Sequence, residues 1–195
     1  MTIFAVNSQF SFLTYKIMNN QTIADIYTAN DNIHVKLKET ITKLNDEQLA
    51  FLPDGEKWTI SHIVEHMAIV KDGMTRISAK LLAQAQSAGK QSNGKAVLTE
   101  NFAKKAAEAR QLKLEAPDRV HPTGKLTINE SLTKMEESRE VLEKLRPLFE
   151  TVECSDYKFP HPFMGDLSAH EWLALIGGHE TRHLAQIEKI LAQAN

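Results

Sequence analysis

Apolar residues return at helical intervals along most of the chain. From Thr22, the positions Ile23, Ile26, Ile33, Leu37, Ile41 and Leu44 fall three, four or seven apart, and Asp25 stands three after Thr22. The pattern predicts an amphipathic first helix with a capping signal at its start. Asn30 fills the gap in this stripe and reads as a polar core residue with a local partner. A connection from Asn45 to Lys57, with Pro53, Asp54 and Gly55, leads to Trp58 and Thr59. Thr59 suits the N-cap of a second helix, with Trp58 packed just outside it. Its stripe is Ile63, Met67, Val70, Met74, Ile77 and Leu81; His66 lies on that stripe and His62 one turn before it. Residues 83–95, small and polar with Gly89 and Gly94, read as a loop, and Thr99 to Leu114 as a short solvated helix. Pro117, Pro122 and Gly124 make the next stretch irregular. Thr127 and Glu130 form a capping box for a third long helix through Leu132, Met135, Leu142, Leu145, Phe149 and Val152, in which Pro147 predicts a kink or an early end near Leu145. Tyr157 to Leu167 reads as a loop. Ser168 and Glu171 then cap a last helix whose face is Trp172, Ile176, His179, His183, Ile187 and Ile190.

Sustained period-two alternation is missing, so the fold class is all-α, a four-helix bundle with long connecting loops. A chain of 195 residues with 42% hydrophobic content suits one globular domain, taken as 18–195. Residues 1–17 read as an N-terminal arm or an over-extended start: the run lacks a basic opening, and Asn7, Ser8 and Gln9 interrupt it, so it is a poor signal peptide. No later apolar run approaches the roughly 18 residues of a membrane span, and a cytoplasmic protein with no membrane partner is expected. A net charge of -2, with Lys and Arg spread along the chain, removes the electrostatic footprint of a nucleic-acid binder. Cys154 is the single cysteine, which excludes an internal disulfide and fits a reducing compartment. Its acidic neighbours Glu153 and Asp156 oppose a reactive thiolate.

The histidines carry the candidate chemistry. His179 and His183 stand four apart on the last helix, as do His62 and His66 on the second, so each pair can point at one atom. A buried imidazole needs a hydrogen-bond partner or a metal, because an unpaired buried polar group costs about 1–3 kcal/mol. Three neutral nitrogens around a divalent ion leave a coordination position open. Such an ion lowers the pKa of a bound water, holds a thiolate or polarises a carbonyl. His62 has two readings: support at its helix start, or a fourth ligand that would close the site. His179-Glu180-x-x-His183 also spells the zincin His-Glu-x-x-His, with Glu180 as general base. Glu188 is the one candidate third ligand downstream, five residues on and on the wrong face, and an edge strand to align a peptide is missing. Proteolysis is therefore disfavoured, while Glu180 stays a candidate for acting on a metal-bound water, as does His62 for a catalytic role. Arg182 reads as a solvated helix charge or a greeter of anions. His34, His121, His161 and His170 lack a spacing partner and read as surface or capping residues.

Trp58 followed eight positions later by His66, Ala116-Pro117 with Pro122, and Pro162-Phe163-Met164-Gly165-Asp166-Leu167-Ser168 leading into Trp172 and His179-x-x-x-His183-x-x-Gln186-Ile187, together resemble the DinB/YfiT-like superfamily. The resemblance implies a four-helix bundle with a divalent metal on three histidines, which map onto His66, His179 and His183. Gln186 matches the family's His-x-x-Gln and would support a ligand; His62 departs from the pattern. Members of the superfamily include transferases and isomerases that use bacillithiol, mycothiol or glutathione, others are described as metal-dependent hydrolases, and homodimers are common. The expectation is thus a zinc or nickel site serving transfer of a low-molecular-weight thiol to a small-molecule substrate. Metal-dependent hydrolysis is the alternative, and an ion that only fastens two helices together is a further one.

Overall fold

In the computed structural model, which describes residues 21–194, the long elements begin where the capping residues stand. Helix α1 (Ile23–Ile41) starts at a capping box: Thr22 Oγ1 accepts from the Asp25 N–H at 3.1 Å, and Asp25 Oδ2 accepts from the Thr22 N–H at 2.8 Å. A short helix α2 (Asp46–Ala50), capped by Asn45 and Gln48, forms within the stretch expected to be a plain connection. Helix α3 (Ile60–Ala88) follows Thr59 as expected but runs further, taking in residues 83–88. Alanine and glutamine are good helix formers and Ala85 is buried, so the helix continues until Gly89, whose φ of 69° suits a helix end. Helix α4 (Glu100–Gln111) has Thr99 as its N-cap, and a 3₁₀ turn at Asp118–Val120 interrupts the irregular stretch.

Helix α5 (Ile128–Thr151) opens with the Thr127 and Glu130 capping box and contains Pro147 without ending there. The residues beyond the proline explain its persistence: Phe149 is fully buried and Val152 nearly so, which anchors the last turn despite one lost backbone bond. The segment expected to be a loop instead pairs into an antiparallel hairpin, β1 (Lys158–His161) with β2 (Gly165–Ser168), Phe159 opposite Leu167. His161 Nδ1 accepts from the N–H groups of Phe163 and Met164, both at 3.2 Å, and so closes the turn. Four-residue strands are too short to display alternation, and Pro160 obscures them further. Helix α6 (Ala169–Ala194) starts directly from β2. The four long helices α1, α3, α5 and α6 make an all-α bundle, and among the described residues no helix is long and apolar enough to cross a membrane. The arm expected over residues 1–17 lies outside the described residues.

The described residues fall into two compact units. The first comprises 21–28, 77–114 and 145–174. There the buried Glu171 carboxylate serves two helix starts at once: Oε1 accepts from Thr99 N–H at 3.0 Å and Thr99 Oγ1 at 2.6 Å, while Oε2 accepts from Ser168 N–H at 2.9 Å. The same unit buries Cys154 and His170, the latter accepting at Nδ1 from the Val97 N–H at 3.1 Å. The second comprises 29–76, 115–144 and 175–194. Its core joins Leu37 and Ile41 of α1, Ile60, Ile63, Val64, Met67 and Ala68 of α3, Met135 of α5, and Leu184, Ile187 and Ile190 of α6, with Trp58 packed against them. Each fully buried Leu, Ile or Met contributes about 1.5–3 kcal/mol.

Asn30, in the gap of the α1 stripe, meets α6 at Gly177, where a Cβ would run into Asn30 Oδ1 and lie 3.1 Å from its Cγ. At the neighbouring Gly178 a Cβ would meet nothing within 4 Å. Two adjacent glycines should therefore respond oppositely to alanine in urea denaturation. Gly178→Ala is expected to stabilise by about 0.5–1 kcal/mol through helix propensity, and Gly177→Ala to destabilise by about 1–3 kcal/mol through overpacking. Equal signs would contradict the close approach.

Candidate metal centre

The apolar faces of α3 and α6 meet in the second core, and that packing brings the histidines on the same faces together. His66 is 3% exposed and His183 7%. His179 Nε2 lies 3.3 Å from His66 Nε2 and 3.2 Å from His183 Nε2. Among the described residues, His66, His179 and His183 form the group whose ligating atoms all lie within 4.8 Å of one another.

The outer nitrogens decide what the inner ones present. His66 Nδ1 is 2.7 Å from the Val120 carbonyl oxygen, and His183 Nδ1 is 2.9 Å from Gln186 Oε1. An oxygen of this kind only accepts, so both Nδ1 atoms carry the proton and both Nε2 atoms turn a lone pair inward. His179 Nε2 stands between them and can donate to one at most. Three ring nitrogens thus converge with at most one proton among them, an arrangement that a cation resolves. Three nitrogens at 2.0–2.1 Å from a tetrahedral zinc would stand about 3.4 Å apart, close to the 3.2 and 3.3 Å observed. The residues fit a divalent metal.

Burial reinforces the neutral state. It pushes the His183 imidazole down to about 3, with the neighbouring His66 adding to the effect. It also lowers His66, and the bond to Val120 offsets this only in part. Neutral imidazoles take up a metal without first losing a proton. Beside His66 stand the ring of Trp58, at 4.9 Å between centroids, and against Trp58 the ring of His121 at 5.8 Å. His121, expected at the surface, is half-exposed and donates from Nε2 to Ala116 O at 2.8 Å.

The remaining predicted residues go elsewhere. His62 Nδ1 accepts from the Thr59 N–H at 3.3 Å, and Thr59 Oγ1 accepts from the His62 N–H at 3.3 Å, so the imidazole completes a capping box at the start of α3. Glu180 is 1% exposed, and its Oε1 accepts from Lys71 Nζ at 2.8 Å, with His34 Nδ1 at 3.7 Å. Burial pushes this carboxyl up, but the nearby His34 ring and the bond from Lys71 outweigh it and hold Glu180 below the usual range. Lys71 also donates to His34 Nδ1 at 3.2 Å, and His34 Nε2 donates to Glu136 Oε2 at 3.1 Å. Glu136 in turn pairs with Arg139 at 2.7 Å. His34, expected at the surface, is buried inside this ionic chain. Lys71 and Glu136 were not singled out from the sequence. The signal for Lys71 was present, since it stands four after Met67 on an apolar face; nothing comparable marked Glu136.

A profile of the DinB superfamily matches residues 33–187. The chain belongs to the DinB superfamily. This DinB chain is similar to the uncharacterized protein YuaE of Bacillus subtilis (strain 168), at 27% identity over 151 residues that cover 75% of this chain and 85% of that one. No solved structure gives a significant match. The DinB family is generally metal-binding, and here the three histidines are the group that could hold the ion.

The protonation balance of the DinB cluster has a measurable sign. His183 takes up a proton near 6.5 when unfolded but only near 3 when folded, so the unfolded chain binds more protons between these values. Stability is therefore full above pH 6.5 and falls as the pH drops below it. At pH 5.5 the loss from His183 alone is about 1.4 kcal/mol. Urea denaturation of chelator-treated protein at pH 7.5 and 5.5 should show this loss, and His183→Leu should reduce the difference.

Proposed function

We propose that the chain is a metal-dependent transferase in which His66, His179 and His183 hold a divalent ion, zinc or nickel, and a low-molecular-weight thiol of the bacillithiol, mycothiol or glutathione type is passed to a small electrophile. The observation that carries this reading is the convergence of three ring Nε2 atoms with at most one proton among them. Neutral donors leave the ion its full charge, and three protein ligands leave room for an outside one. When bound, such an ion lowers the pKa of a thiol or water that coordinates it. The chain's own residues then have defined work. Val120 O and Gln186 Oε1 orient two of the rings, and the Trp58 and His121 rings supply an aromatic wall beside His66.

Two further observations favour an external thiol over the alternatives. Cys154 is fully buried, and burial, together with Glu153, pushes its thiol up to about 12, so the chain offers no reactive thiol of its own. Hydrolysis calls for a base to take a proton from water, and Glu180, the base of the His-Glu-x-x-His reading, is already bonded to Lys71. A thiol acidified by the ion needs no such base. The engagement of His62 at its helix start supports an open site over a closed structural one. A cytoplasmic setting, where small thiols stay reduced, suits this chemistry.

Elemental analysis of protein purified without a chelating tag is expected to find near-stoichiometric metal in the wild type and in His62→Ala, and to find it lost in His66→Ala and His179→Ala. A wild type that is metal-free and takes up no added zinc, nickel or manganese would overturn the metal centre. In a conjugation assay with several thiols, turnover should require the thiol; turnover without it would instead favour hydrolysis.

A further inference from the structure

Residue Glu65 stands beside His66 on α3 and is 1% exposed, although it carries a carboxylate. A buried carboxylate is costly unless it is well supplied with donors. Its donors come from one short loop: Thr123 Oγ1 at 2.6 Å to Oε1 and the Gly124 N–H at 2.7 Å to Oε2. Each carboxylate oxygen thus holds one short bond from the same loop. Gly124 has a φ of 69°, a conformation that lets its N–H turn toward the carboxylate at little cost to a residue without Cβ.

The same loop carries Val120, whose carbonyl takes the His66 Nδ1–H at 2.7 Å. One turn of α3 therefore grips the loop twice, through Glu65 at residues 123–124 and through His66 at residue 120. The loop also carries His121, whose ring packs on Trp58 beside His66. The order of dependence follows from the chemistry of the two grips. A carboxylate holding two short bonds, one on each oxygen, is a strong, charge-assisted anchor, whereas a single imidazole N–H to a carbonyl is a weaker one that needs the carbonyl already in place.

We propose that Glu65 is a positioning residue for the three-histidine site: it fixes the 120–124 loop so that Val120 O holds His66 as the Nδ1–H tautomer, with Nε2 free to ligate. The consequence for metal binding rests on the reading given above, but the tautomer itself is a property of the metal-free protein and is tested there.

In metal-free wild type, long-range ¹H–¹⁵N spectra should show His66 with its proton on Nδ1. Glu65→Gln keeps the shape but sets an NH₂ donor against the Gly124 N–H or the Thr123 hydroxyl. It should turn the His66 signal into a mixture of the two tautomers, and Thr123→Val, which removes one donor from the loop side, should move it the same way by less. Cobalt(II) titration should then find affinity weakened about 10–100-fold in Glu65→Gln, with an altered visible spectrum. Glu171→Gln, which weakens helix starts in the other unit, should lower the melting temperature while leaving the tautomer and cobalt affinity at wild-type values. The proposal is overturned if wild-type His66 is not the Nδ1–H tautomer, or if Glu65→Gln and Thr123→Val melt earlier yet keep that tautomer unchanged. Should the tautomer shift as expected while wild type binds no cobalt, the metal-centre reading fails and the positioning role of Glu65 stands. If Glu65→Gln does not fold, Thr123→Val alone decides by the same spectrum.

Discussion

A protonated ring nitrogen buried in a protein interior has to give its hydrogen to something, and the arrangement of the candidate centre follows from where two such hydrogens go. Val120 and Gln186 accept them on the outer side of His66 and His183, which leaves the inner nitrogens as lone pairs. Neither acceptor is a chance neighbour. Gln186 lies three residues after His183 and so shares its helix face, while Val120 is held by a loop that α3 anchors from the position next to His66. Apolar packing brings the two helices together, but hydrogen bonding on the far side of the rings decides that their near sides are basic.

The His-Glu-x-x-His spelling shows how helix geometry separates residues that adjoin in sequence. Successive residues on a helix point about 100° apart, so His179 and His183 face the cluster while Glu180 faces Lys71 and His34. The ionic chain through Glu180, Lys71, His34 and Glu136 gives each buried charge a partner of opposite sign or a polar ring. Breaking one member of such a chain leaves an uncompensated charge, which typically costs about 3–5 kcal/mol. The chain therefore fixes the register of α1, α3, α5 and α6 in this unit more strictly than interchangeable apolar contacts would.

Much of this was legible beforehand. Helical period, three capping boxes and the four-residue spacing of His179 and His183 are local properties, written within a few residues of where they act, and the bundle followed from them. What escaped was non-local or diluted. The β1–β2 hairpin depends on pairing between two strands of four residues each, and no period can be read from so few. The last turns of α3 read as loop because Ala83 to Ala88 is small and polar, although such residues also make good helix. Pro147 signalled an interruption, and the burial of Phe149 beyond it was the stronger term. Glu65 carries no signal of its own and His34 reads as a surface or capping residue, because nothing in one sequence tells which distant loop or helix will supply their partners. The site's ring nitrogens and the support from Gln186 are foreseeable; Val120 and the loop that holds it are not.

The shared carboxylate of Glu171 has a dynamic counterpart. Since one buried group accepts from Ser168, the residue just before α6, and from Thr99, the N-cap of α4, fraying of either start strips donors from a charge that stays buried at the other. Small independent openings are thereby suppressed, and the amides at residues 99 and 168 belong to one cooperative opening unit even though sixty-nine positions separate them in the chain. A helix as short and solvated as α4 would ordinarily come and go on its own; tied in this way, it keeps the timetable of the long helix it borrows its anchor from.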